Sequence, residues 1–556
     1  MFGPFVNDTE DPKKFAVWEP KVKVYREALA AGIKDEYKLP QELIPKDFDV
    51  GVDVTGIPAK VLTESELAIT ESSGCDLVVK IAAGELSAVE VFKAFAKRAT
   101  IAHQLTNCAM QIFVDEGLMR AKELDAYYAK TGKTVGPLHG LPVSLKEHYN
   151  YKGKITHSGY VGYIDNVTEN WSVAVEVLKE AGAVFYIRTT EPQSLMHLCS
   201  YNNITGACRN PWNTSLTPGG SSSGEGALAA MKGSVFGLGS DIGGSIRCPA
   251  AFCGVWGLRP TQKRLSMHNV TSCCGSKVQE SVACVLGPLA RSAEDLDLFM
   301  KASIVSEPWK KDACIIPLPW RTESVPSPKE LTIAVCYDDG VVKPTAPIIR
   351  ALKHAVSKLE ASGVKVVEWK PIAVQKLVET CSAMYNADGN SSQKLALAAS
   401  GEPLAPLTHV ALSFGCGDDG VSVEKNQELN GIRDQGRQDY LSAMDAQGID
   451  YILCPTYVSV AAKPDVIKYW GYTNLWNILD YPSVIFPTGL KVNPDLDVVD
   501  KSYKPRNEYE AYEHFLYTDP KDFINAPINL QLTGRRYFEE KLIKASQVIG
   551  EIIAQK

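Results

Sequence analysis

The sequence predicts an α/β protein with one large fold, in which a central mixed, largely parallel twisted sheet carries helices on both faces. The first observation behind this prediction is that helical patterns alternate with short β-branched segments between residues 136 and 260 and again from residue 331. Such alternation is typical of parallel strands joined by helices. The second is that the chain has 556 residues, of which 45% are hydrophobic, so it can bury a large core.

The expected organisation is an N-terminal extension, partly irregular and partly helical, over residues 1–63, followed by one domain over residues 64–556. The α/β pattern is similar on both sides of the proline-rich connection 315–329, which indicates one sheet rather than two. The domain opens with a helical part, continues with a core that holds glycine- and serine-rich loops, and ends with the rest of the sheet and its covering helices; these parts span residues 64–113, 136–260 and 331–556.

Each element follows from a local pattern. Ser87 and Glu90 have the spacing of a capping box at the start of a helix. Residues 172–183 predict a helix, and the β-branched and aromatic residues 184–188 predict a buried strand. Beyond the proline-rich connection, the same criteria predict one helix, 347–361, and four strands, 331–336, 364–369, 451–455 and 483–487.

The composition excludes several classes of protein. There are 58 Lys and Arg against 65 Asp and Glu, a net charge of -7, with no long run of one sign, so we expect no nucleic-acid partner. The N-terminus lacks a basic segment followed by an apolar one, and no apolar run approaches the roughly 18 residues of a membrane span. The 14 cysteines are scattered without a zinc-type spacing, which fits reduced thiols. We therefore expect a cytoplasmic protein without a metal site.

Two glycine- and serine-rich loops stand out from this background. They span residues 217–227, Thr-Pro-Gly-Gly-Ser-Ser-Ser-Gly-Glu-Gly-Ala, and residues 237–247, Gly-Leu-Gly-Ser-Asp-Ile-Gly-Gly-Ser-Ile-Arg, and a helix-forming segment follows each loop. Backbone N–H groups that converge at a helix N-terminus bind an anion, either a phosphate or a transient oxyanion. The spacing matches neither a phosphate loop that ends in Gly-Lys-Ser/Thr nor the pattern Gly-x-Gly-x-x-Gly.

Acyl transfer needs a serine nucleophile, a base and oxyanion donors. None of the nine histidines lies in either loop, and the chain has no Gly-x-Ser-x-Gly motif. A lysine can replace histidine as the base when burial lowers its pKa from about 10.4 and leaves the amine neutral. Lys146 is the natural candidate, because it ends the apolar segment Gly-Leu-Pro-Val-Ser-Leu-Lys that begins at Gly140.

These motifs together resemble the amidase signature family. The matching segments are residues 219–227, 241–247 and 141–146, and the likeness continues through residues 203–213, 254–260 and 525–534. Two earlier segments, 83–90 and 104–108, resemble the fungal acetamidase-like and fatty-acid-amide-hydrolase-like branch of that family. The resemblance covers most of the chain after the N-terminal extension, and it implies an amidase of the acylamide amidohydrolase type.

The resemblance implies a Ser-cisSer-Lys triad at the matching positions, with Ser245 as nucleophile, Ser221 as the bridging serine on a cis peptide, and Lys146 as base. The oxyanion would be held by backbone N–H groups of the nucleophile loop, namely those of Ile242, Gly243, Gly244 and Ser245. The implied reaction passes through an acyl-enzyme and needs neither a metal nor an organic cofactor.

Other residues are expected to support the triad. Ser222 and Arg247 match positions that brace it in the family, and Asp241 is expected to order its loop. For Arg247, a purely structural ion pair with Asp241 is the alternative. Glu225 is expected to favour its helix N-terminus rather than to act as a base. The candidates for contact with substrate are Met196, Gly219 and Gly220, with residues 195–201 and 381–386 as candidate pocket walls.

Two departures from the family pattern bear on substrate scope. Ser223 stands where the family commonly has glycine, which adds a side chain beside the bridging serine. Glu147 and His148 replace the frequent Asp-Asn or Asp-Gln after the lysine. His148 is either a second base or a hydrogen-bonded structural group.

The expected substrate is a small or medium carboxamide, cleaved to a carboxylate and ammonia or an amine. One alternative keeps the acyl-enzyme but makes the protein an esterase, with an ester substrate, or an acyltransferase or cyclase. Another is a partner-dependent amidotransferase subunit or a noncatalytic homologue, although intact Lys146, Ser221 and Ser245 weigh against it. Homodimers are common in the family, so the resemblance is compatible with a homodimer.

Overall fold

The structure, a computed structural model, describes residues 8–273, 280–415, 417 and 419–555. Within these residues there are 17 α-helices: α1 (Pro12–Ala31), α2 (Glu64–Glu71), α3 (Gly74–Ala82), α4 (Ala88–Thr106), α5 (Val114–Thr131), α6 (Val173–Glu180), α7 (Ser223–Ala230), α8 (Arg247–Cys253), α9 (Ala293–Val305), α10 (Ala346–Ala361), α11 (Val374–Tyr385), α12 (Ser391–Ser400), α13 (Pro406–Leu412), α14 (Val423–Gln447), α15 (Gly471–Leu479), α16 (Glu508–Phe515) and α17 (Glu539–Ala554).

The same residues form eleven strands: β1 (Ala109–Ile112), β2 (Pro142–Lys146), β3 (Val184–Thr189), β4 (Phe236–Asp241), β5 (Trp256–Arg259), β6 (Val285–Ala290), β7 (Thr332–Val335), β8 (Lys365–Glu368), β9 (Tyr451–Cys454), β10 (Ser483–Lys491) and β11 (Pro527–Gly534). All of them belong to one sheet, in the order β1-β3-β2-β4-β6-β5-β10-β11-β9-β7-β8. The α/β class and the mixed sheet are confirmed.

The expectation of a largely parallel sheet needs correction. Among the described strands, four pairings are parallel, in the blocks β3-β2-β4 and β9-β7-β8, and six are antiparallel. Two strands that run back through the sheet account for four of these six: β6 lies between β4 and β5, and β11 lies between β9 and β10. The other two antiparallel pairings are those of β1 with β3 and of β5 with β10. An antiparallel neighbour needs no helical crossover, so the helix–strand alternation in the sequence does not reveal it.

Strand β4 shows that helices cover both faces of the sheet. The ring of Phe236 lies 5.4 Å from the ring of Phe299 on α9. The next residue, Gly237, faces Glu225 of α7, because a Cβ built on it would lie 1.6 Å from Glu225 Oε2. Successive residues of a strand point to opposite faces, so α7 and α9 lie on opposite sides. Parallel pairing of β4 with β2 aligns Gly237 with Ser144 and brings the two strand ends together.

The core is divided unequally. One large cluster of buried apolar residues extends from Ile69 to Ile553. A second cluster joins α4, β3 and α7, with Phe92, Tyr186 and Leu228 among its residues, and it also includes Leu29 near the end of α1. The rest of α1 packs through a small third cluster that includes Val22 and Tyr25. No helix in the described part of the chain is long and apolar enough to cross a lipid bilayer. The division of the chain at residue 63 stays a prediction.

Candidate active site

Lys146 is the last residue of β2 and is completely buried. Its Nζ donates to Ser221 Oγ at 2.6 Å and to Ser240 Oγ at 3.0 Å. Burial lowers the pKa of Lys146 below the ordinary lysine value of 10.5, and it outweighs the opposite effect of nearby groups, first among them Glu191. A buried amine with a lowered pKa has the electronic character that a general base requires.

The two glycine- and serine-rich loops meet at the ends of β2 and β4. The Gly220–Ser221 peptide bond is cis, as the resemblance implied. The backbone N–H of Ser222 donates to the carbonyl of Ser245 at 3.0 Å, which holds the second loop beside the first. Ser222 Oγ also accepts from the N–H of Ser240 at 3.2 Å. Ser222 therefore links the first loop to β4 and to the second loop.

Ser245 lies two residues before α8 and is 6% exposed. Its Oγ forms no hydrogen bond with any other described residue, so the structure connects Lys146 to Ser221 by a hydrogen bond but does not connect Ser221 to Ser245. Catalytic hydrogen bonds commonly tighten only when substrate binds. The Ser245 hydroxyl is therefore without a hydrogen-bond partner among the described residues, whereas Lys146 and Ser221 are hydrogen-bonded to each other.

The four N–H groups expected to hold an oxyanion are not equivalent. The N–H of Gly244 already donates to Asp241 Oδ1 at 2.9 Å, so we correct the expectation that it is available to an oxyanion. The N–H groups of Ile242, Gly243 and Ser245 donate to no other described residue. Three free donors thus remain on this short loop at the start of α8.

Asp241 and Arg247 form a fully buried ion pair, with Arg247 Nη2 3.0 Å from Asp241 Oδ1. Burial alone would raise the pKa of Asp241, but the charge of Arg247 and hydrogen bonds from Arg247 and Asn477 lower it well below its usual range. Asp241 also accepts from the N–H groups of Gly244 and Ile246. These contacts favour the structural alternative for Arg247 and agree with the loop-ordering role expected of Asp241.

The sequence analysis missed residues that reach the loop from distant parts of the chain. The Tyr385 hydroxyl, on α11, donates to the carbonyl of Ile242 at 2.8 Å. Thr473 Oγ1, on α15, donates to the carbonyl of Gly243 at 2.6 Å. Ser240, the second hydrogen-bond partner of Lys146, lies inside a quoted motif, but its side chain had no assigned role. Of these residues, only Tyr385 lay in a segment, 381–386, that the sequence suggested as a pocket wall.

Glu225 lies in the first turn of α7, as expected, and it is buried. Its carboxylate accepts from Ser144 Oγ at 2.5 Å and from Thr189 Oγ1 at 2.7 Å. Burial raises its pKa to about 7. Glu225 therefore joins α7 to strands β2 and β3.

Each of the two departures from the family pattern places a side chain against a backbone carbonyl, although the buried Nε2 of His148 has no hydrogen-bond partner among the described residues. Ser223 Oγ donates to the carbonyl of Cys199 at 3.0 Å. His148 Nδ1 lies 3.2 Å from the carbonyl oxygen of Thr271, and burial holds the pKa of His148 well below its usual value. These contacts favour the structural alternative for His148.

The three candidates for substrate contact lie in closely packed surroundings. Met196 is 4% exposed and belongs to the main core cluster. A Cβ on Gly220 would lie 1.9 Å from the carbonyl oxygen of Cys199, and one on Gly219 would lie 2.9 Å from Pro249 Cα. Both glycines are thus required by close backbone contacts, and their role in substrate binding stays a prediction.

One cluster has the composition of a metal site. Glu147, His157 and Glu191 are buried and have candidate ligand atoms within 4.8 Å of one another. Arg188 Nη1 lies 3.8 Å from Glu147 Oε1, and the backbone N–H groups of His157 and Ser158 donate to the same carboxylate. The chain itself therefore supplies positive charge and donors to this cluster.

Comparisons with known proteins show which family the chain resembles. The family model described as Amidase matches residues 90–543. The chain is 39% identical over 550 residues to the acetamidase of Emericella nidulans, covering 96% of this chain and 98% of that one. It is 36% identical over 552 residues to the acetamidase of Aspergillus oryzae, covering 97% and 99%. A solved structure named fatty acid amide hydrolase superposes with a TM-score of 0.96 at 47% identity, covering 99% and 98% of the two chains.

Proposed function

The chain belongs to the amidase signature family and is an amide hydrolase, and from this premise we propose that it works through an acyl-enzyme formed on Ser245. Lys146 in its neutral form accepts a proton from Ser221, and Ser221 accepts one from Ser245 as the Ser245 Oγ attacks the amide carbonyl. The carbonyl oxygen becomes an oxyanion. The proton then returns through Ser221 to the leaving nitrogen, and the C–N bond breaks.

Water completes the cycle by the same route. It loses a proton to the relay as it attacks the acyl carbon, and Ser245 recovers that proton as the carboxylic acid leaves. The acid then releases its own proton to solvent and becomes the carboxylate. The oxyanion of both tetrahedral intermediates accepts from the N–H groups of Ile242, Gly243 and Ser245. Removing one donor of this kind costs about 10²- to 10³-fold in kcat in other enzymes.

The observation that carries this proposal is the 2.6 Å hydrogen bond between Lys146 Nζ and Ser221 Oγ inside the protein. A charged lysine is costly to bury without a carboxylate partner, and the atoms that Lys146 contacts are serine hydroxyls. The backbone bond between Ser222 and Ser245 supports the last step of the relay, because it holds the nucleophile loop next to the cis peptide.

The substrate class is proposed as a small or medium carboxamide. Relatives of this chain are named acetamidases, and a structure with the same fold is named fatty acid amide hydrolase. A panel of primary amides with acyl chains from two carbons upward, together with matching esters, tests this proposal by mass spectrometry. Equal hydrolysis of every chain length would contradict it. Added hydroxylamine distinguishes transfer from hydrolysis, because an acyltransferase would form hydroxamate in preference to acid.

A fluorophosphonate probe tests the nucleophile. We expect labelling of Ser245 in the wild type, and neither labelling nor amide hydrolysis in Ser245→Ala. Lys146→Ala should fold and lose most of its activity. Wild-type turnover in either variant would exclude the proposed relay.

We also propose a cytoplasmic location, which the twelve described cysteines support because each is a free thiol. A homodimer and the lack of a nucleic-acid partner stay predictions, which size-exclusion chromatography with light scattering and a binding assay with labelled duplex DNA would test.

A further inference from the structure

Two side-chain hydroxyls contact the nucleophile loop from the side of the covering helices. Tyr385 ends α11 and donates to the carbonyl of Ile242 at 2.8 Å. Thr473, in the first turn of α15, donates to the carbonyl of Gly243 at 2.6 Å. Both residues are buried, at 6% and 1% exposure. The two successive carbonyls of the loop are therefore each fixed by a side chain more than 140 residues away in sequence.

Fixing a carbonyl also fixes the N–H of the same peptide group. In a trans peptide the C=O and the N–H point in opposite directions. Since the carbonyl of Ile242 points to Tyr385, the N–H of Gly243 points away from α11. The next peptide group is held at both ends, because Thr473 binds the carbonyl of Gly243 and Asp241 accepts from the N–H of Gly244.

The loop itself does not restrain the peptide group that carries the Gly243 N–H, because the Asp241 carboxylate binds only later N–H groups of the loop, from Gly244 onward. Gly243 and Gly244 have no side chains, and Gly244 has a φ of 131°, a region that is open chiefly to glycine. A Cβ on Gly243 would lie 2.7 Å from the Tyr385 hydroxyl oxygen and 3.0 Å from Trp470 Cε3. Gly243 is thus needed for this close contact, and it offers no side chain that could hold its own peptide group.

We propose that Tyr385 and Thr473 are positioning residues for the oxyanion-binding N–H of Gly243. Tyr385 fixes the peptide group that carries this N–H, and Thr473 fixes the peptide group that follows it, so Gly243 is held between two fixed peptide planes. This inference rests on the proposed function, because it assigns a task to residues behind the same oxyanion site. In this role neither side chain needs to contact the substrate. Each acts on the transition state alone, because the negative charge that the N–H binds exists only on the tetrahedral oxygen.

The first test is Tyr385→Phe, which removes the hydroxyl and keeps the ring. A misplaced catalytic group can cost about 10²-fold in rate, so we expect kcat to fall about 10- to 100-fold while KM changes less than about twofold. The matched control is Tyr440→Phe. Tyr440 is also fully buried and also donates to a backbone carbonyl, that of Ile372 at 3.2 Å, but it lies on α14 and contacts no part of the loop. This variant should keep the wild-type kcat.

The second test is a pair of variants at Thr473, which covers the case in which loss of the tyrosine hydroxyl destabilises the protein. Thr473→Val keeps the shape and removes the donor, and we expect the same selective loss of kcat. Thr473→Ser restores the hydroxyl and should recover most of that loss. A purely structural role would lower the melting temperature of Thr473→Val without a selective loss of kcat, and that result would overturn the inference.

An aliphatic trifluoromethyl ketone gives a readout independent of turnover. Its hydrated carbonyl loses water and forms a tetrahedral adduct with the Ser245 oxygen, in which the relay holds the serine proton and the former carbonyl oxygen carries the negative charge. We expect Tyr385→Phe and Thr473→Val to weaken this inhibitor by the same factor as they lower kcat. Unchanged inhibitor affinity, or a loss confined to KM, would overturn the inference.

The same experiment separates the two proposals. If Ser245→Ala remains active, the proposed function itself fails. If Ser245→Ala is inactive while Tyr385→Phe and Thr473→Val match the wild type in kcat and in inhibitor affinity, the acyl-enzyme stands and only the positioning roles fail.

Discussion

At the scale of single residues, two ionisable side chains are buried at the junction of α7, β2 and β4, and burial lowers the pKa of one and raises the pKa of the other. The neutral form of Lys146 can accept a proton, and its amine is hydrogen-bonded to the hydroxyls of Ser221 and Ser240. Glu225 is held by two hydroxyls, and burial raises its pKa to about 7. Burial disfavours the charged form of both groups. Lys146 therefore affects how activity depends on pH, and Glu225 affects how stability depends on pH.

The pH dependence of activity tests the lysine. Burial lowers the pKa of Lys146, and only the neutral amine accepts a proton, so kcat/KM should rise with pH and level off above that pKa. We expect the midpoint of this rise below the ordinary lysine value of 10.5. Lys146→Arg should be inactive at every pH, because guanidinium stays charged. Activity in the wild type that falls steadily between pH 6 and pH 9 would contradict the assignment.

The pH dependence of stability tests Glu225. Its folded pKa of about 7 exceeds the ordinary 4.5, so the folded state holds a proton that the unfolded state releases, and stability falls as pH rises from about 4.5 through 7. In Glu225→Gln this loss should be absent. The difference in unfolding free energy between the variant and the wild type should grow by about 2–3 kcal/mol from pH 5 to pH 8 in urea titrations.

The exposed Glu551→Gln on α17 serves as the control for that titration and should show no such growth. An unchanged difference between the two pH values in Glu225→Gln would mean that Glu225 stays ionised in the folded protein at both.

At the scale of elements, the sequence was a good guide to positions along the chain and a poor guide to neighbours. The predicted helix 347–361 is observed at Ala346–Ala361, and the predicted strand 184–188 at Val184–Thr189. These predictions rest on side-chain periodicity, which is local. The antiparallel placement of β6 and β11 depends on which two strands each of them lies between, and no local sequence pattern specifies this.

The same contrast applies to the candidate site. Ser221 and Ser245 could be proposed because glycine- and serine-rich loops are contiguous in sequence. Tyr385 and Thr473 could not, since a tyrosine at the end of one helix and a threonine in another carry no sign of the carbonyl they bind. Their roles follow only from the way α11 and α15 pack over the nucleophile loop.

Strand β4 offers a test of this packing. A Cβ on Gly237 would lie 1.6 Å from Glu225 Oε2 and 2.4 Å from Ser144 Oγ, so Gly237→Ala should force these groups apart and destabilise the protein by about 1–3 kcal/mol in urea unfolding. Gly431→Ala in α14, where a Cβ meets nothing within 4 Å, should instead stabilise it by about 0.5–1 kcal/mol. Equal effects of the two substitutions would exclude close packing at Gly237.

At the scale of the whole molecule, one large apolar cluster joins residues from Ile69 to Ile553, whereas α1 packs through a small cluster and adds only Leu29 to a second one. Contacts within a common core unfold together, whereas an element with few buried apolar contacts opens locally at lower free energy. We therefore expect one main cooperative unit and a peripheral helix α1 that opens at lower free energy.

Hydrogen exchange measured by mass spectrometry tests this division. Amides of α1 should exchange well before those of β4 and α8 under native conditions. Val22→Ala, which removes methyl groups from the small cluster, should speed exchange in α1 and leave the melting temperature of the main unit unchanged. Simultaneous exchange of α1 and the central strands would show that the helix belongs to the same cooperative unit.

The guanidinium of Arg247 has a consequence for how the protein is made. Its partners include the carbonyl of Thr473 and the side chains of Asn477 and Gln531, which follow it by hundreds of residues and which a ribosome synthesises last. The nascent chain carries both serines long before it carries the groups that hold the nucleophile loop. We therefore expect a messenger with a premature stop codon between codons 248 and 531 to yield a product that contains the whole serine signature and hydrolyses nothing.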